Sequence, residues 1–137
     1  MLKSVKVRDY MITDLVTFKA DTDLFKAIDV LIERRISGAP VVDDEGHLLG
    51  LLSESDCLRG ILSGSYFEEA GGRVESVMTC GVETVDAAAD IVKAAEHFIH
   101  RGRRRLPVLE DGRLVGQISR RDILRAVQHF NDHAAPK

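Results

Sequence analysis

"GLLSESDCLRG" (Gly50–Gly60) and "GQISRRDILRA" (Gly116–Ala126) share one pattern: glycine, two residues, serine, two residues, aspartate, one residue, leucine, arginine. Each begins as an apolar run of strand character and turns into a helix start, where serine followed by an acid three residues on fits a capping box. A helix start needs no second copy of its surroundings, so the repetition points to a duplicated unit.

Working outward, the duplication extends along most of the chain. At an offset of 67 residues Met11 falls on Met78, Thr17 on Thr84, Asp23 on Asp90 and Pro40 on Pro107. One gap, at Glu45, brings Gly50 onto Gly116 and Asp56 onto Asp122. Each copy reads β-α-β-β-α. A short strand near Val16–Phe18 leads into a helix that Asp21 or Thr22 can cap, with Leu24, Ala27, Ile28, Leu31 and Ile32 on one face. "APVVD" and "HLLGLLS" then form a hairpin, and in the second copy Asp111-Gly112 is a strong tight-turn signal. The predicted fold class is α+β, with one unit over 1–66, a polar glycine-rich connector over 67–73, a second unit over 74–130 and a tail over 131–137. A unit of this size buries little surface alone, so the copies are expected to pack through their sheets about an approximate twofold axis, as one fused module with ligand clefts between them.

The bulk properties narrow the function classes. The 137 residues carry a net charge of −3, which argues against a nucleic-acid partner bound by bulk electrostatics. The start "MLKSVKVRDYM" has no long apolar segment, and no run approaches a membrane span, so no membrane partner is expected. Cys57 and Cys80 have no ligand-like spacing and are expected to stay reduced, which makes a cytoplasmic location the expectation. His97 with His100, and His129 with His133, have helical spacing but no third ligand, so no metal site is predicted. No GxSxG, P-loop, GxGxxG, HExxH or CxxC pattern occurs, and the chain is not expected to be an enzyme.

Three motifs remain, each with two readings. Ser53-x-x-Asp56 and Ser119-x-x-Asp122 can be caps, or a carboxylate that accepts both hydroxyls of a ribose beside a phosphate on the helix start. "RISGAPVV" and "RRRLPVLE" can be helix-to-strand punctuation, or a loop against which a flat base lies. "RGRRR" (Arg101–Arg105) can be a solvated helix end favoured by the helix dipole, or a forked grip on phosphate by Arg104 or Arg105.

The chain from about Val7 to Val127 resembles a pair of CBS domains, the tandem arrangement called a Bateman module. The resemblance rests on "VxxxM" opening each copy, on "GAPVVDDEGHLLGLLSESD", and on "RRLPVLEDGRLVGQISRRD". It implies a stand-alone regulatory module that binds an adenosine compound such as AMP, ADP or ATP, with AMP as the expected ligand and no required cofactor. It further implies a homodimer and a separate regulated protein. Carried over residue by residue, one cleft would combine Ser119, Arg121 and Asp122 with Ile12, Val16, Ile36, Ser37, Gly38 and Pro40, bordered by Arg105. The other would combine Ser53, Ser55 and Asp56 with Thr79, Glu83, Arg103, Arg104 and Pro107. Glu83 and Arg103 stand where the first cleft has Val16 and Ile36, so the Asp122 cleft is expected to be the principal one. The alternative is a structural, self-associating module with empty clefts.

Overall fold

The computed structural model describes residues 2–63 and 72–134; most of the expected connector and the end of the tail lie outside the described residues. The fold is α+β and divides into two compact units, Val16–Val82 and Met1–Leu15 with Glu83–Lys137.

In the Val16–Val82 unit, helix α1 (Leu24–Arg34) precedes an antiparallel hairpin, β1 (Gly38–Val42) and β2 (Leu48–Ser53), which leads directly into α2 (Glu54–Leu62). Phe18 bridges in parallel to Val41. The α1 cap is Asp23, whose carboxylate accepts from the Lys26 N–H at 3.2 Å, rather than Asp21 or Thr22. Thr22 is engaged instead in accepting from the Lys19 N–H, within the turn before the helix. Leu24, Ala27 and Leu31 are buried and Ile28 packs against them, whereas Ile32, at the margin of that stripe, is 70% exposed. Leu52, Val41 and Val74 complete the core.

The other unit repeats the plan with one difference: the strand expected before the first helix forms here as β3 (Val85–Asp86), whereas at Val16–Phe18 it is reduced to the single Phe18 bridge. Helix α3 (Ile91–Arg101), β4 (Arg105–Glu110), β5 (Arg113–Ser119) and α4 (Arg120–Ala134) follow, in the sheet order β3-β4-β5. Asp111 (φ 53°) and Gly112 (φ 79°) close the β4–β5 hairpin, as a two-residue turn with both central residues at positive φ requires. Its core joins Val85, Phe98, Leu106, Val108 and Ile118 with Val7 from the start of the chain.

The compact units do not coincide with the sequence repeats. The lead-in of the first copy pairs with the hairpin of the second, through Ile12 and Gln117. The lead-in of the second copy pairs with the hairpin of the first, through Leu51 and Thr79, with N–H···O distances of 2.9 Å in both directions. This accounts for the glycine in each returning strand. A Cβ on Gly50 would lie 2.5 Å from the Thr79 carbonyl oxygen, and one on Gly116 would lie 2.9 Å from that of Ile12.

Candidate functional site

Both serine–aspartate motifs sit where a strand becomes a helix. Ser53 caps α2: its hydroxyl accepts from the Asp56 N–H at 3.0 Å, and its own N–H donates to Asp56 Oδ2 at 2.9 Å. Ser119 and Asp122 repeat the exchange at 3.2 and 2.8 Å, and the Ser119 hydroxyl also lies 2.9 Å from Asp122 Oδ2. The capping reading therefore holds at both motifs. Both carboxylates are nonetheless buried, and they are the buried charged groups among the described residues.

The two carboxylates differ in what holds the second oxygen. Asp56 Oδ1 accepts from the Thr79 hydroxyl at 2.9 Å and from Arg59. Asp122 Oδ1 accepts from Arg125 at 2.5 Å, and the residue equivalent to Thr79 is Ile12, which has no hydroxyl to offer. Arg125 is half exposed and one turn along the same helix, so it can swing away without disturbing the fold. Asp122 thus keeps an oxygen that a ligand hydroxyl can claim. Asp56 is satisfied from two sides.

Around Asp122 the arginines converge. A groove of about 850 Å³ is lined by Arg104, Arg105, Ser119, Arg120, Arg121, Leu124, Arg125 and Gln128. The backbone fixes this gathering: the Arg120 N–H donates to the Arg104 carbonyl at 3.2 Å, and Arg120 Nε donates to the Arg103 carbonyl at 2.8 Å. The loop before β4 is thereby stitched to the start of α4. Arg104, which the resemblance placed with the second cleft, lines the same groove as Arg105. Arg120 and Arg125 were not among the predicted residues; the Asp122–Arg125 spacing was readable in "DILR", but the stitch at Arg120 carried no sequence signal. The helix-dipole reading of "RGRRR" suits Arg101 alone, in the last turn of α3; the chain leaves the helix at Gly102.

Glu83 collects a separate set. It accepts from His97 at 2.6 Å and from Arg103 Nη2 and Nε at 2.9 and 3.1 Å, with Arg101 at 3.8 Å. The Arg103 guanidinium, aided by His97, holds its carboxyl below the usual glutamate range. Glu83 and Arg103 therefore pair with each other. His129 is hydrogen-bonded to the Tyr10 hydroxyl at 2.5 Å, and the side chain of His133 lies outside the described residues. Among the described residues no three His, Cys, Asp or Glu side chains gather as a metal site would require. Burial pushes the Cys57 thiol up, away from reactivity, and Cys80 is exposed.

The remaining predicted residues divide between the units. Val16, Ile36, Ser37, Gly38, Pro40 and Ser55 belong to Val16–Val82 with Asp56 and Thr79; Ile12 and Pro107 belong with Asp122. Pro40 and Pro107 are buried, Val16 and Ile36 are partly buried against the core of their unit, and Ser37 and Ser55 are exposed.

The CBS-domain family model matches residues 7–63 and 74–129. This chain belongs to the CBS-domain family, as a tandem pair. A solved structure with which the CBS pair superposes at a TM-score of 0.79, with 30% identity and coverage of 93% of this chain and 98% of the other, is CBSX2 in complex with AMP; CBSX2 is a CBS-pair protein of Arabidopsis thaliana. The pair is also 31% identical over 119 residues to a protein of Methanocaldococcus jannaschii, covering 87% of this chain and 41% of that one. With the A-adding tRNA nucleotidyltransferase of Aquifex aeolicus the identity is 34% over 90% of this chain, but that match is only 14% of the enzyme. The CBS pair thus spans well under two thirds of these curated relatives, and the match to the enzyme is confined to a small part of it. Among the described residues no helix is long and apolar enough to cross a membrane.

Proposed function

We propose that this CBS pair binds an adenosine nucleotide at Asp122 and uses the bound state to modulate a separate protein. The observation that carries the reading is Asp122 itself: a buried carboxylate at a helix start, with Ser119 beside it, arginines in front of it, and one oxygen held only by a displaceable side chain. That set can accept a ribose diol while the arginines take phosphate. The AMP bound by the Arabidopsis relative supports the ligand class. In this proposal no metal or resident cofactor is required. Switching requires that the ligand bind one arrangement of the chain more tightly than another.

Asp56 has the architectural role of the alternative reading, because Thr79 and Arg59 satisfy the oxygen that a ribose would need. Self-association belongs to the same proposal. Leu58 and Leu62 on α2 and Leu124 on α4 are 60%, 84% and 67% exposed, which suits a homodimer built through helices.

The test is thermal unfolding of nucleotide-stripped protein titrated with AMP. Ligand at about 100 times its dissociation constant adds about 2.7 kcal/mol of stability. The expected result is a saturable rise in melting temperature that Asp122→Ala removes and Asp56→Ala leaves. Loss of the rise in Asp56→Ala alone overturns the assignment. No rise with any adenosyl ligand leaves the architectural reading for both motifs.

A further inference from the structure

The arginine groove holds more positive charge than a single phosphate uses. Five arginines line it and, among the described residues, no carboxylate does; Asp122, in the first turn of α4, is already paired with Arg125. Arg104, Arg105 and Arg121 make no ion pair or side-chain hydrogen bond among the described residues. Arg120 and Arg121 also stand in the first turn of α4, at the positive end of the helix dipole, where cations are disfavoured. Clustered like charges at that end repel one another and weaken the folded state when nothing binds them.

The chain contains its own control. The equivalent positions in the first copy, 67 residues back for the loop and 66 for the helix, are Ser37, Gly38, Glu54, Ser55 and Arg59. Five positive charges in one copy therefore correspond to a net charge of zero in the other, from Glu54 and Arg59. The first turn of α2 is acidic, as the dipole favours. The fold can thus be made without the arginines.

We infer that the groove at Arg104, Arg105, Arg120, Arg121 and Arg125 selects a polyphosphate chain, so that the Asp122 site takes nucleoside triphosphates in preference to monophosphates. The nucleoside end of this inference rests on the proposed adenosine site; the phosphate end does not. A monophosphate offers oxygens for two forked arginine pairs. A triphosphate carries enough charge and enough oxygens to engage all five arginines and to relieve their mutual repulsion.

The experiment is calorimetric titration of the full chain, in EDTA and low salt, with AMP, ATP and inorganic tripolyphosphate. Two variants accompany the wild type: Arg104→Ser/Arg105→Gly/Arg121→Ser, which installs the residues of the first copy, and Arg104→Gln/Arg105→Gln/Arg121→Gln, which keeps side-chain bulk. All three arginines are exposed, and melting curves without ligand verify folding. ATP is expected to bind the wild type about tenfold or more tighter than AMP, with tripolyphosphate competing, and both variants to bring ATP down to the affinity of AMP. Equal affinity of the wild type for AMP and ATP, or a preference for ATP that survives both variants, overturns the inference. If neither nucleotide binds while tripolyphosphate binds in an arginine-dependent way, the adenosine proposal fails and the polyphosphate groove stands. If tripolyphosphate and ATP both fail to bind, the groove falls as well.

Discussion

Arg35 closes α1 at φ 54°, in the left-handed conformation that its repeat equivalent, Gly102, adopts at the end of α3. Glycine reaches that region without a Cβ clash; arginine does not. Arg35 is exposed, so Arg35→Gly is expected to stabilise the chain by about 0.5–1 kcal/mol, read from urea melts. Glu83 supports a second prediction at this scale. A carboxyl held below its ordinary range adds stability at neutral pH, and that stability is lost as pH falls through its folded value. The wild type is therefore expected to exceed Glu83→Gln in stability at pH 7, with the gap closing below about pH 4; a gap that does not change with pH excludes the ion network as its source. Asp56 and Asp122 were legible as candidate residues because they recur in one pattern. What separates them was legible only in part: Glu83 and Arg103 in the places of Val16 and Ile36 pointed to Asp122 as the principal site, but the bond by which the Thr79 hydroxyl holds Asp56 Oδ1 spans 23 residues and only folding makes it. The Glu83–His97–Arg103 set joins a loop, a helix and the residues after it, a combination no local spacing announces.

At the scale of elements, the helices, the hairpins and the Asp111-Gly112 turn followed from periodicity and turn chemistry, because each is decided by residues close together in sequence. The glycines of the returning strands read only as part of the repeated pattern, and their reason is tertiary: another backbone segment crosses each at bonding distance. An added methyl at Gly50 meets the Thr79 carbonyl carbon and oxygen, atoms fixed by two hydrogen bonds to Leu51. At Gly116 the nearest atom is the sulfur of Met11, 2.7 Å away on a flexible side chain, with the Ile12 carbonyl next. Both substitutions are expected to destabilise by about 1–3 kcal/mol, with Gly50→Ala the worse of the two. Equilibrium denaturation of the pair checks this; equal costs would mean that the backbone at Thr79 yields as readily as a methionine side chain.

At the scale of the molecule, duplication was legible but the exchange of lead-ins was not. Copies so alike give a lead-in the same local reasons to pair with either hairpin, so the pattern does not say which one it joins. The consequence is that cutting between the repeats and cutting between the compact units give different fragments of nearly equal length. A fragment of residues 1–66 keeps Val7, whose core lies with Phe98 and Leu106, and lacks Val74, which is fully buried in the core of Leu24 and Leu52. Leaving one valine stranded and the other missing forfeits about 1.5–3 kcal/mol each, and the Leu51–Thr79 bridge is lost as well. A domain of this size has a margin of only a few kcal/mol. A fragment of residues 16–82 keeps its whole core and the backbone bridges Phe18–Val41, Asp23–Arg73 and Leu51–Thr79. Residues 16–82 are therefore expected to melt cooperatively alone, and residues 1–66 only when mixed with residues 67–137, as followed by circular dichroism. A cooperative melt of 1–66 by itself would show that each repeat folds without the lead-in of the other, and that the exchange adds little to stability.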